Sequence, residues 1–297
     1  MKNAYLIMAH HNFNQLSILL GLLDGFDNDL YVHIDSKAGA IDTDALHERV
    51  KKSNLVFIPR MSITWGGDSM IWCEMELLKS AISIPHDYYH LISGDDLPIK
   101  NYEQIERLLE ERPGANYVGI SWRGSTSDVP KSLAKRFRYR WTLQNKVGRK
   151  RSFKAKLGLA FQKLCGVDRV KGFSGEIAKG PNWFSITDDF ARYVVEREPW
   201  IHEMFSDTLC CDEVFLQTLY VNSPFGRDVA PQLDDNAMAL RFIDWGRGNG
   251  QSPYTFRIDD YSLIERSSCL FARKFDADID SEVISKISRR LQAMSSN

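Results

Sequence analysis

The sequence predicts an α/β protein built on a central, mostly parallel sheet flanked by helices. Two observations lead there. Over the first 120 residues, apolar runs of strand length alternate with segments whose apolar residues recur at helical spacing. The apolar runs also end in polar clusters, as strands do when a βαβ sheet gathers a ligand site at its carboxyl edge. A chain of 297 residues is long enough to bury an ample core.

Tyr5 to Ala9 reads as the first strand and Phe13 to Leu23 as the first helix. Leu30 to Asp35 is a second strand ending in a carboxylate, Asn54 to Ile58 a third, and Tyr88 to Ser93 a fourth. A helix carrying Met70, Cys73, Leu77, Leu78 and Ala81 lies between the last two. Tyr102 to Glu111 is a helix stopped by Pro113-Gly114, and Asn116 to Ile120 is a fifth strand. Later, Pro181 to Ile186 reads as a strand, followed by a helix that Thr187-Asp188-Asp189 caps. Asp212 is expected to cap the next helix, Leu240 to Trp245 to form a strand, and Asp259 to open a further helix.

With 38 Lys and Arg against 39 Asp and Glu, the net charge of −1 supplies no global attraction to nucleic acid or membrane. The charge is nevertheless uneven. From Lys131 to Lys171 there are 14 Lys or Arg and one acid, Asp168, with Phe137, Tyr139 and Trp141 interleaved among Arg136, Arg138 and Arg140. Such a stretch suits a nucleic-acid surface, a groove for an anionic acceptor, or a solvated helical insertion. No RNA- or DNA-binding motif accompanies it, so nucleic acid is left out of the expected partners. The five cysteines are odd in number, lack C-x-x-C spacing, and include the adjacent Cys210 and Cys211, which argues for reduced thiols and against zinc. No run reaches the ~20 apolar residues of a membrane span, and the apolar N-terminus lacks a small-residue cleavage site. The expectation is a cytoplasmic protein.

The polar clusters hold the chemistry. Neither G-x-G-x-x-G nor a P-loop is present, so the dinucleotide and P-loop readings lose their support. His10-His11-Asn12, Asp35-Ser36-Lys37 and Ser93-Gly94-Asp95-Asp96 follow three of the expected strands. A strand-end Asp35 suits a ribose or base edge, or else a turn. The adjacent His10 and His11 point to opposite sides of an extended chain and make a poor metal pair. In Thr64-Trp65-Gly66-Gly67-Asp68 the glycines permit close backbone approach to a ligand and Asp68 can cap a helix; Trp65 suits a base, a sugar or a core corner. Asp212-Glu213 either caps a surface helix or places Glu213 in its first turn, as a carboxylate able to take a proton from a hydroxyl. Arg247 in a glycine-rich loop, with Arg273 and Lys274, could close over a diphosphate.

Five motifs stand in one order along the chain: Ile63-Thr64-Trp65-Gly66-Gly67, Tyr89 to Lys100 (YHLISGDDLPIK), Asp212-Glu213, Ile243-Asp244-Trp245, and Phe271 to Asp276 (FARKFD). Together they resemble the core-2/I-branching β-1,6-N-acetylglucosaminyltransferase family, which includes the peptide O-xylosyltransferases. The likeness runs from about residue 4 to residue 276, weakest in the basic middle. It implies a GT-A-like nucleotide-sugar-binding fold as a single domain over residues 1–297. Residues 1–120 would form the nucleotide-binding half, 121–171 a basic insertion, and 172–297 the acceptor and diphosphate-binding half.

The resemblance also implies inverting, metal-independent transfer from a UDP-sugar to a glycan hydroxyl, with N-acetylglucosamine the first donor to consider and xylose the second. By position, Glu213 matches the general base, Asp35 a uridine contact, Lys274 a diphosphate cation and Asp96 a carboxylate near the sugar. Arg247 is the expected second cation because its glycine neighbours leave it free to swing, with Arg241 the alternative. His10 joins the nucleotide- and diphosphate-binding candidates; Trp65, Trp183, Asp212 and Trp245 are the candidates facing donor or acceptor sugar. The resemblance implies no metal and no cofactor, and the divergence of the adjacent Asp95 and Asp96 on an extended chain agrees with it. The chain is expected to depart from the animal enzymes in having no membrane anchor or stem and in replacing the acceptor region with the basic segment; their disulfide cysteines are not evident in it. A lipid-linked or cell-envelope acceptor at the inner membrane face is the matching expectation, with residues 131–171 making peripheral contact. Two further readings are a glycoside hydrolase using Glu213 with Asp96 or Asp244, and a non-catalytic carbohydrate- or polyanion-binding protein.

Overall fold

The computed structural model describes residues 1–148, 153–227, 229–232 and 234–294. The chain runs β1 (Asn3–Ala9), α1 (Phe13–Leu23), β2 (Asn28–Ile34), α2 (Thr43–Arg49), β3 (Asn54–Phe57), α3 (Ser69–Ala81), β4 (Tyr88–Ser93), β5 (Leu97–Pro98), α4 (Tyr102–Glu110), β6 (Tyr117–Val118) and β7 (Trp122–Ser125). It continues through α5 (Lys131–Phe137), α6 (Gln144–Val147), α7 (Phe153–Leu164), β8 (Glu176–Lys179), β9 (Phe184–Thr187), α8 (Asp188–Glu196), α9 (Glu198–Phe205) and α10 (Phe215–Val221). The last elements are α11 (Asp235–Met238), β10 (Arg241–Ile243), α12 (Tyr261–Arg266), β11 (Phe271–Arg273) and α13 (Ser281–Met294).

The central sheet has six strands in the order β3-β2-β1-β4-β9-β6. β1, β2, β3 and β4 are parallel and β9 alone runs against its neighbours, so the sheet is mostly parallel, as expected. Side chains alternate across it with the period of a strand. Ala4, Leu6, Tyr89 and Leu91 enter one core beneath α3 and α8, while Tyr5, Ile7, Tyr88 and Ile92 enter the other with α1 and α13. Helices thus cover both faces and leave the carboxyl ends of β1, β2 and β4 as the edge where loops gather. A smaller sheet, β10-β11-β5, brings residues 271–273 beside Leu97 and Pro98, and β7 pairs with β8.

Three expected caps are corrected. α10 starts at Phe215 behind Val214 and has no acid in its first turn. The amides of Val214 and Phe215 already donate to the Cys211 carbonyl, at 3.0 and 2.9 Å, so Asp212 and Glu213 lie in a turn ahead of the helix. Asp68 occupies the N-cap position of α3 without capping it; its carboxylate accepts from Asn145 Nδ2 at 2.5 Å and from the Asp207 amide at 2.7 Å. Thr187 likewise makes no cap bond, and its hydroxyl donates to Asn116 Oδ1 at 3.1 Å.

The basic middle divides physically. Leu133, Ala134 and Phe137 of α5 are buried in the core, whereas α7 buries no residue at all. Arg149, Lys150 and Arg151 lie outside the described residues. None of the five cysteines forms a disulfide. Among the described residues no helix is long and apolar enough to cross a membrane.

Candidate functional site

The carboxyl edge of the sheet collects the first group of predicted residues. The Asp35 amide donates to the Ala9 carbonyl at 2.9 Å and the Gly94 amide to Met8 at 3.0 Å, so the loops after β1, β2 and β4 meet there. Asp35 is buried, and its Oδ1 accepts from the Lys37 amide at 2.9 Å, which caps a single 3-10 turn. The turn-capping reading of Asp35 is therefore met, with Oδ2 3.7 Å from Lys37 Nζ. The His10 and His11 rings lie with their centroids 4.1 Å apart, tilted 44° to one another. Partial burial of its ring, then the charge of His11, lowers the His10 pKa, with Asp95 and Asp35 acting in the opposite sense.

Asp96 sits at the centre of this edge, 1% exposed. Its Oδ2 accepts from the Ser93 amide at 3.0 Å, and its Oδ1 from the Ser93 hydroxyl at 2.9 Å and from Arg273 Nη1 at 2.6 Å. Arg273 also donates to Ser93 Oγ and lies over the Trp183 ring, its guanidinium carbon 4.6 Å from the ring centre. Trp183 is 9% exposed, so it backs this ion pair more than it faces solvent. Asp95 points elsewhere, its Oδ1 3.6 Å from His11 Nε2. Among the described residues no three His, Cys, Asp or Glu side chains converge to hold a metal ion.

The cations separate into three kinds. Lys274 follows Arg273, half-buried, and among the described residues its ammonium has neither hydrogen bond nor ion pair. Its carbonyl accepts from the Phe256 amide at 2.9 Å, while Gln15 Nε2 donates to the carbonyls of Phe275 at 3.1 Å and Gly94 at 3.2 Å; together these fix the segment beside the sheet edge. Arg247, expected to swing, is instead held: Nε donates to Asp244 Oδ2 at 2.6 Å, Nη1 to Asp260 Oδ1 at 2.7 Å, and the guanidinium stacks 4.0 Å over Tyr254. Those bonds raise its pKa further. Arg241 is buried, donating to Ser185 Oγ and to the carbonyls of Ala239, Leu91 and Phe184, and stacking on Phe271. Burial lowers its pKa to about 10.

Glu213 stands on the turn before α10, its side chain 39% exposed. Arg136 Nη1 donates to Glu213 Oε2 at 2.8 Å, and Lys179 Nζ lies 3.7 Å from the same oxygen. No hydrogen bond reaches Oε1 among the described residues. Burial, the largest single influence, works against the Arg136 charge, but the Glu213 bond and the Glu213 charge together turn the balance and raise the arginine pKa. The loop is fixed from two sides, since Gly180 N donates to the Glu213 carbonyl at 3.0 Å and Cys210 N to the Gly66 carbonyl at 2.9 Å. Gly66, at φ 83°, holds the left-handed turn that presents Trp65, half exposed, beside this loop. Gly67 has no room for a Cβ, which would meet Asn145 Oδ1 at 2.2 Å. The close approach these glycines permit is thus to protein. Trp245 is also half exposed, on the loop that carries Arg247.

Behind Glu213 lies a feature the sequence reading missed. Asp212 is 7% exposed with Oδ1 unpartnered, and Glu74 of α3 is fully buried with neither carboxyl oxygen hydrogen-bonded. Burial, then the charge of Glu213, pushes Asp212 up to about 7; burial, then Asp212, raises Glu74 well above the ordinary range. Glu74 shares the helical spacing of Ile71, Met75, Leu78 and Ala81, all buried, so periodicity alone could have placed it inside. Arg136 had no such signal, being one cation in a run of many.

Residues 3–265 match the model of the family described as Core-2/I-Branching enzyme. The chain is 23% identical over 313 residues to xylosyltransferase 2 of Mus musculus, covering 96% of this chain and 33% of that protein. It is 22% identical over 316 residues to xylosyltransferase 1 of Homo sapiens, covering 97% and 30%. The chain therefore spans about a third of the length of these relatives. Among solved structures, mouse xyloside xylosyltransferase 1 in its apo form aligns at TM-score 0.34 and 10% identity over 91% of this chain and 96% of that one. On the family match, the chain belongs to the Core-2/I-branching enzymes, a family of glycosyltransferases.

Proposed function

We propose that this protein transfers a sugar from a UDP-sugar to a glycan hydroxyl with inversion and without a divalent metal. Glu213 is the general base. The observation that carries this reading is the asymmetry of its carboxylate, one oxygen anchored by Arg136 and the other unbonded on a half-exposed loop. A base must be aimed and still have an oxygen to offer the incoming hydroxyl. Lys274 is the diphosphate cation, because its ammonium is uncommitted and its backbone is fixed at the carboxyl edge. Arg247 remains the second cation, presented rigidly, and Arg241 drops out because its donors are spent inside the core. Asp35 and His10 are the nucleotide-side residues, with Asp96 and the exposed Trp65 and Trp245 nearer the sugars.

Metal independence fits the commitment of Asp96. Both its oxygens are taken by Ser93 and Arg273, leaving no carboxylate pair with Asp95 to coordinate a cation. The same fact counts against a glycoside hydrolase, which needs a second working carboxyl; Asp244 is likewise bound to Arg247. Donor sugars to test are N-acetylglucosamine and xylose, the latter favoured by the names of the relatives. The acceptor we assign is a lipid-linked or cell-envelope glycan met at the inner face of a membrane. The test is slow UDP release from each UDP-sugar, water replacing the acceptor. Glu213→Gln should lower it about 100-fold or more while UDP binding is unchanged; a variant that turns over normally would remove Glu213 from the reaction.

A further inference from the structure

α7 presents an apolar stripe to solvent. Phe153, Leu157, Phe161 and Leu164 are 79, 63, 65 and 86% exposed. On a helix turning about 100° per residue these four positions fall on one side. Ala155, Leu159 and Gln162 are the less exposed residues of the helix and lie on the opposite side, toward the protein. Gln162 fixes that orientation, since its amide exchanges hydrogen bonds with the Arg140 backbone at 2.8 and 2.9 Å. The stripe is therefore aimed outward and is not loosely packed core.

The charges around it select the occupant. Lys154 flanks the stripe on one side, Lys156 and Lys163 on the other, all exposed. A helix with aromatic and aliphatic residues on one face and lysines at its margins lies in a lipid interface, where the lysine stems run along apolar surface and the ammonium groups reach headgroups. The surrounding stretch carries 14 Lys or Arg against one acid, which complements an anionic surface. We infer that α7 is an interfacial helix that docks this protein on an anionic lipid bilayer through Phe153, Leu157, Phe161 and Leu164. The helix is tied to the catalytic side. Arg169 N, just beyond α7, donates to the Arg138 carbonyl at 3.1 Å, and Arg138 closes the helix that carries Arg136 to Glu213. Docking through α7 would thus engage the segment that anchors the proposed base. Lipid binding is read without turnover, so its failure would leave the transferase reading standing.

The experiment is flotation of the full chain with vesicles of phosphatidylcholine alone and mixed with phosphatidylglycerol, at low and high salt, alongside light scattering. Wild type should float with the anionic vesicles only, less so at high salt. Leu157→Asp/Phe161→Asp should weaken this at least ~10-fold without lowering the melting temperature, because both side chains already face water. Lys154→Ser/Lys156→Ser/Lys163→Ser should weaken it about 10- to 100-fold and flatten the salt response. Absence of binding to anionic vesicles at low salt, or undiminished binding by the apolar variant, overturns the proposal. So does a wild-type dimer that the apolar variant converts to monomer in the absence of vesicle binding, which would make the stripe the seat of a second copy.

Discussion

Glu213 and Asp212 are adjacent in sequence and opposite in environment, one half exposed and ion-paired, the other buried and pushed up to about 7. The buried one has a consequence for stability. Between the ordinary carboxyl range, near 4, and about 7, the folded protein keeps a proton on Asp212 that the unfolded chain gives up. Stability must therefore fall as pH rises through that window and level off above it. Asp212→Asn abolishes this contribution, so thermal melts at pH 5 and pH 8 should show wild type losing more stability than the variant, by a few kcal/mol at most at about 1.4 kcal/mol per unit. Parallel curves would mean that Asp212 is charged in the folded protein throughout. Glu74, raised for the same reason, leaves part of the slope in place. At this scale the sequence was legible where a motif or a period marks the residue. Asp212-Glu213 is marked by its motif; Glu74 went unnoticed, although its place on a buried helical stripe could have marked it. Arg136 reaches Glu213 from 77 positions away, and nothing in a run of arginines says which one will do so.

Long elements were legible because their own patterning decides them. β1, β2, β4, α1 and α3 lie close to where apolar runs and helical spacing put them. β5, β7 and β8 are two to four residues long and exist because a partner strand pairs with them, which no local preference announces. α13 carries Val283, Ile284, Ile287 and Leu291 on its buried face, yet its polar majority obscured it. The start of α10 was misplaced because Cys211 satisfies the first amides that an Asp212 cap would have served. β10 supplies the prediction at this scale. Arg241→Met removes a buried cation from four acceptors, two of them carbonyls of β4 and β9. At about 1 to 3 kcal/mol for each buried group left unsatisfied, denaturant titration should show a loss of about 3 kcal/mol or more. UDP affinity of the remaining folded protein should not change. A selective loss of UDP affinity with unchanged stability would return Arg241 to the diphosphate.

For the molecule as a whole, the parallel strands decide where chemistry can occur. Four parallel strands deliver four loops to one edge, and the smaller sheet brings Arg273 and Lys274 to that edge from the far end of the chain. The fold class and this edge were foreseeable from alternating strands and helices; the antiparallel β9, placed between β4 and β6, was not, since strand order is set by long-range pairing. Holding a leaving diphosphate with fixed side-chain cations is an electrostatic task that a preorganised site performs without reorganisation. Lys274 is assigned this task where other enzymes use a metal. Calorimetric titration of UDP in EDTA, into wild type and Lys274→Ala, tests it most directly. Roughly micromolar binding is expected, unaltered by manganese and weakened at least ~10-fold in the variant through loss of one charge-assisted hydrogen bond. Binding that requires manganese, or that is equal in the two proteins, would contradict it.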